Sequence, residues 1–130
     1  MILLDTSIWI ELLSGRLSVS ESSFEDFATC GPVVQEVLQG LRPGESRQFR
    51  ERFQFLKRLS DPLPERLFVR AAELYRIGRQ NGHTIRSPRD CLIAAIAIDN
   101  GVVLWHRDRD FRTIAKYSEL SLYAQGGALI

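Results

Sequence analysis

The sequence has little of what staples small secreted proteins or carries a chain to a membrane. Its 130 residues include two cysteines, Cys30 and Cys91, with no CxxC pair and no Cys/His spacing suited to zinc. That excludes a disulfide framework and a zinc finger, and both cysteines are expected to be buried small hydrophobes. No window approaches the ~20 apolar residues of a membrane span. The start, Met1-Ile2-Leu3-Leu4-Asp5, lacks the basic region and apolar run of a signal peptide, so the expected location is the cytoplasm. Neither sign of charge is in excess: 17 Lys and Arg face 16 Asp and Glu, a net +1. Such a balance neither demands nor excludes a nucleic-acid partner, because a local basic patch matters more than the total. Repeats, low-complexity tracts and linkers are missing too, so a single domain over 1–130 is expected.

What is present is an alternation of strand and helix signals. Ile2–Leu4 is a short apolar run ending at Asp5 and reads as a buried strand. Ile8, Trp9, Leu12 and Leu13 then recur at helical spacing up to Gly15. Helices are also predicted over 21–28, from Pro32 to about Leu41, over 45–59 and over 65–80. The third of these carries Phe49, Phe53 and Leu56 inward, and the last carries Leu67, Phe68, Ala71, Ala72, Leu74 and Tyr75 inward. Asp61–Pro64 reads as a loop or a very short edge strand. Ser87-Pro88-Arg89-Asp90 opens a helix running to Ile98 that is apolar all round and belongs in the core. Val102–Trp105 is the strongest strand signal; a helix over 108–115 and a strand over 120–123 follow. The expected fold class is α/β, a parallel sheet with helices on both faces.

Four acids fall at strand ends or helix starts: Asp5, Glu36, Asp90 and Asp108. Parallel α/β sheets gather ligands at the carboxyl ends of their strands, so these carboxylates are expected to converge. Such a cluster repels itself unless cations occupy it, and oxygen-only ligands select Mg²⁺ or Mn²⁺ over zinc. Each acid has a plainer reading. Asp5 and Asp108 suit N-caps, Ser87-x-x-Asp90 suits a capping box, and Glu36 suits a solvated helix face. Asp90, however, leads a helix with no polar side, so its carboxylate has to lie near the middle of the protein.

The ordered set of motifs is specific. Asp5-Thr6-Ser7 after an apolar strand, Glu36 within Val-Val-Gln-Glu-Val-Leu-Gln-Gly, Arg89-Asp90 before Cys-Leu-Ile-Ala-Ala-Ile-Ala, and His106-Arg107-Asp108-Arg109-Asp110-Phe111 together resemble the PIN domain. More narrowly they resemble the VapC toxins of bacterial type II toxin–antitoxin pairs. The resemblance implies a PIN-like α/β/α sandwich with a central parallel sheet and a metal-dependent endoribonuclease that leaves a 5′-phosphate. Asp5 and Asp90 would be the main Mg²⁺ (or Mn²⁺) ligands. Glu36 and Asp108 would complete the pocket, in a second shell or on a second ion, and Asp110 is the substitute for Asp108. Whether one or two ions act is open. The partners implied are RNA, a VapB-like antitoxin and a second copy in a homodimer.

Thr6 and Ser7 are candidates for substrate contact, or for satisfying free N–H groups at the helix start. Arg86, Arg89, Arg107, Arg109 and Arg112 flank the acids, and a second basic group spans Arg42 to Arg58. Both suit phosphates, although a solvated helix face with local ion pairs explains the second equally well. Trp9 and Trp105 sit in apolar runs and are assigned to the core. Three other functions remain to be weighed: a PIN nuclease that is not a toxin, an inactive binding domain, and a haloacid-dehalogenase-like phosphatase. The last needs a second acid two residues after Asp5, where Ser7 stands.

Overall fold

The protein is described by a computed structural model, which describes residues 1–124. Strand β1 (Ile2–Leu4) lies at the centre of the sheet, between β2 (Phe27–Thr29) and β4 (Val103–Trp105), parallel to both. Beyond β2 lies β3 (Lys57–Arg58), also parallel, giving the order β3-β2-β1-β4. Leu3, Leu4, Ala28 and Leu104 are completely buried. A sheet covered by helices buries both faces of its central strands, which is why they read as continuous apolar runs rather than alternating ones.

Six helices flank the sheet: α1 (Thr6–Leu13), α2 (Gly31–Gly40), α3 (Glu45–Phe53), α4 (Glu65–Gln80), α5 (Pro88–Asn100) and α6 (Arg109–Ala115). The all-apolar α5 is indeed central, packing against α2, α4, α6 and β4, with Ile93, Ala94, Ile96 and Ala97 fully buried. Trp9, Trp105, Cys30 and Cys91 are core residues, as expected. No helix among the described residues is long and apolar enough to cross a membrane.

Several expectations are corrected. The helix predicted over 21–28 is a 3-10 turn over Glu21–Asp26 followed by β2. Ser20, Ser22 and Ser23 hydrogen-bond one another through their hydroxyls, and such local bonds compete with a helix. Phe27 and Ala28 then gain more by pairing beside β1 than by extending a turn. The helix predicted over 45–59 stops at Phe53. Phe55 points to solvent, 84% exposed, and Lys57–Arg58 enters the sheet, with Leu59 N–H donating to Thr29 O at 2.8 Å. The edge strand therefore lies before Asp61–Pro64, which is loop. The strand predicted over 120–123 is a single parallel bridge, Leu104 to Leu122. On α4, Phe68 and Ala72 face outward rather than inward; the buried stripe is Leu67, Ala71, Leu74 and Gly78.

Gly78 is buried because the ring of Tyr117 lies where its side chain would be. A Cβ there would meet Tyr117 Oη at 2.6 Å and Cζ at 3.2 Å, and the ring is stacked on His83. Alanine normally favours a helix over glycine by up to about 1 kcal/mol. Gly78→Ala is nevertheless expected to destabilise the fold by about 1–3 kcal/mol through overpacking. A lowered urea midpoint, partly restored by adding Tyr117→Phe, is the expected result; an unchanged midpoint would refute the close contact.

Candidate active site

The expected convergence occurs at the carboxyl edge of the sheet. Asp5 follows β1 and caps α1: Ser7 N–H and the Ser7 hydroxyl both donate to its Oδ2, at 3.2 and 2.7 Å. Its own N–H donates to Trp105 O at 2.9 Å, so the ends of β1 and β4 are held together. Arg107 N–H donates to Ser7 Oγ at 3.1 Å. The Ser7 hydroxyl thus fixes the Asp5 carboxylate and receives the chain leaving β4. The role considered for the hydroxyl pair was to satisfy free N–H groups at the helix start; Asp5 takes the Ser7 N–H instead, and the Ser7 hydroxyl serves a backbone N–H outside that helix. Thr6 Oγ1 is buried without a partner.

Asp90 projects from the first turn of α5 and is buried. The capping box expected at Ser87 does not form: Ser87 caps with its backbone only, its carbonyl accepting from Asp90 N–H at 3.0 Å. Asp90 Oδ2 is left with no hydrogen-bond partner. Glu36, on α2, pairs through Oε2 with Arg89 Nη1 at 3.5 Å, while its Oε1 is buried without a partner. Asp108 caps α6 by accepting from Asp110 N–H at 2.9 Å. Asp110 is more buried than Asp108 and its Oδ2 accepts from Arg86 N–H at 3.2 Å. Both carboxylates face Asp90, so proximity does not separate Asp108 from Asp110.

Five acids form two overlapping triads that share Asp90. Carboxylate oxygens of Asp5, Glu36 and Asp90 lie within 4.8 Å of one another, and so do those of Asp90, Asp108 and Asp110. Capping and clustering are compatible here, since the N-cap geometry of Asp5 and Asp108 aims their carboxylates along the sheet edge.

The energetic cost falls mainly on the shared member. Burial, and then the charges of Asp5, Asp108, Asp110 and Glu36, push the Asp90 carboxyl up to about 8. Asp5 is also raised by burial, partly offset by its hydrogen bonds from Ser7. Burial lowers His106, whose Nδ1 accepts from Asp108 N–H at 3.1 Å; that ring stays neutral and supports the turn after β4. An unpartnered buried carboxylate oxygen is costly. The fold holds two, Glu36 Oε1 and Asp90 Oδ2, in one all-oxygen cluster. That donor set fits a hard divalent cation.

Around the acids, Arg107 and Arg109 are exposed and make no ion pair among the described residues. In the second basic group, Arg47 pairs with Glu51 at 3.1 Å. Arg47, Arg50 and Arg58 line a depression of about 430 Å³ floored by Val34, Leu38, Phe49 and Phe53. The placement of Arg86 against two of the acids was not legible. Its only sequence signal is its position four residues before Asp90, in the turn that leads into α5.

Comparison with known proteins bears on the family and the fold. The PIN-domain family profile matches residues 2–117. The VapC ribonuclease Mb1587 of Mycobacterium bovis is 35% identical over 134 aligned positions, covering 92% of this chain and 96% of the relative. Ribonuclease VapC11 of Mycobacterium tuberculosis shows the same identity and coverage. Among solved structures, VapBC-1 from nontypeable Haemophilus influenzae superposes with a TM-score of 0.68 at 19% identity, covering 89% of this chain and 94% of that one.

Proposed function

This chain belongs to the PIN-domain family, and we propose that it is a Mg²⁺-dependent endoribonuclease, the toxin of a VapBC-like toxin–antitoxin pair. The observation that carries the reading is the pair of unpartnered buried oxygens, Glu36 Oε1 and Asp90 Oδ2, within a five-carboxylate cluster. The ribonuclease relatives at 35% identity support the RNA substrate, and likeness to a VapBC structure supports the fold. The domain is taken as 1–130, working in the cytoplasm, paired with itself and restrained by an antitoxin.

Asp5, Glu36 and Asp90 hold the ion in this proposal. Bound there, a divalent cation supplies charge neutralisation and Lewis acidity to a phosphodiester and its attacking water. Ser7 keeps the Asp5 carboxylate in one orientation through two hydrogen bonds. Asp108 stands on the flank of Asp90 opposite Glu36, placed to hydrogen-bond the attacking water and take its proton. The water oxygen bonds to phosphorus as the bond to the 3′-oxygen breaks, leaving a 5′-phosphate, and the departing 3′-oxygen takes a proton from solvent water to become a 3′-hydroxyl. Arg89, Arg107 and Arg109, with Thr6 at the helix start, hold the RNA backbone against a pocket that would otherwise repel it.

Incubation of a mixed-sequence RNA with the protein in Mg²⁺ is expected to give fragments with 5′-phosphate ends. EDTA or Asp5→Asn is expected to suppress cleavage by at least about 100-fold. Equal cleavage in EDTA would defeat the proposal, and so would none under either condition.

A further inference from the structure

The two carboxylate triads are not equivalent. We propose that Arg86 stands in for a second cation, so that the pocket takes a single divalent ion on its Asp5, Glu36 and Asp90 side. The inference rests on the metal-dependent reading above and deepens it.

On the Asp108 and Asp110 side, donors already reach three of the four carboxylate oxygens. Asp108 Oδ1 accepts from Asp110 N–H at 2.9 Å and pairs with Arg86 Nη2 at 3.4 Å. Asp110 Oδ2 accepts from Arg86 N–H at 3.2 Å, and Arg86 Nε lies 3.7 Å from Asp110 Oδ1. Arg86 therefore meets both acids, one with its guanidinium alone and the other with backbone and guanidinium together. A guanidinium is charged at every relevant pH and forks between carboxylates. It supplies there the positive charge that an ion would otherwise bring.

On the other side the balance is reversed. Among the described residues, the buried carboxylate oxygens without any donor are Glu36 Oε1 and the shared Asp90 Oδ2. Arg89 takes only the remaining oxygen of Glu36, at 3.5 Å, and leaves Oε1 free for an ion. Both arginines come from the same short segment, 86–89, which leads into α5. Asp90 lies between them and pairs with neither.

The test is the number of ions bound, counted by isothermal titration of Mn²⁺ into the full chain. One site is expected for the unmodified protein, two for Arg86→Gln, and one again for Arg86→Lys, which restores the charge. Arg89→Gln is expected to stay at one. Circular dichroism establishes that each variant is folded. Asp108→Asn gives an independent reading with Arg86 intact: the count stays at one. Two sites in the unmodified chain, or one site in a folded Arg86→Gln variant, would overturn the role of Arg86 alone. No Mn²⁺ bound by any form would overturn the metal-dependent nuclease itself.

Discussion

Asp90→Asn is expected to reduce Mg²⁺-dependent RNA cleavage by about 1,000-fold or more and, at the same time, to make the metal-free protein harder to unfold. The loss follows from removing the one carboxylate common to both triads, and single electrostatic groups at reacting centres are commonly worth about 100- to 1,000-fold. The gain follows from the cost of keeping that acid. Asp90 is buried among four other acids and held at about 8, so in the absence of metal, folding at neutral pH either takes up a proton or buries a repelled charge. Asparagine has nearly the same shape and carries no charge. The stabilisation should be seen as a rise of several degrees in the melting temperature in EDTA near pH 7.5, shrinking as pH falls to about 4 and below, where the aspartate becomes protonated in the unfolded state too. An inactive but less stable variant would show that Asp90 is held by contacts the structure does not contain.

The same acid makes metal and pH act against each other in the unmodified chain. A folded-state pKa raised above the unfolded value contributes stability that is complete below the unfolded pKa and is lost as pH climbs through the folded one. For Asp90 that window runs from about 4 to about 8, and Asp5 shifts in the same direction. His106 opposes this trend at lower pH. Burial depresses it, so it disfavours the folded state below the ordinary histidine range and is silent above it. Cys30 and Cys91, raised to about 12 and about 11, begin to matter only once free thiols ionise, near 8.5. Between pH 6.5 and 8 the carboxylates act almost alone. In EDTA the melting temperature should therefore fall across this interval. Saturating Mg²⁺ should restore it, by more at pH 8 than at pH 6.5, because a bound cation needs the ionised ligands. Scanning calorimetry at the two pH values, with and without Mg²⁺, measures this directly. An equal Mg²⁺ effect at both would mean that the ion does not engage the raised acids.

The fold class and the convergence of the candidate acids were both legible in the sequence, while several individual elements were not. Asp5 and Asp108 could be placed because each ends an apolar run and starts a helix. The burial of Asp90 followed from the helix it leads, which has no polar side to offer it. Glu36 was placed with them from its position in the early turns of the helix that begins near Pro32. What failed did so where sequence carries little signal. Lys57–Arg58 is a two-residue exposed strand with no alternation to detect, and its place in the sheet is set by pairing with Ala28 and Thr29. Phe24 and Phe27 share a helical spacing, yet a cluster of serines and the vacant position beside β1 made one a turn residue and the other a strand. Arg86 sat in a turn with no periodicity. Its partners, Asp108 and Asp110, arrive from over twenty residues away, and only the fold brings them together.

The modest outer strand β3 governs what the sheet can accept at that margin. An incoming segment would find only two residues to zip onto, the charged Lys57 and Arg58 themselves, too little backbone for lateral extension into fibres or for capture of an extended peptide. Companions arriving from that direction must recognise side chains on the surrounding helices, which leaves selectivity to shape and charge rather than to a generic peptide ladder.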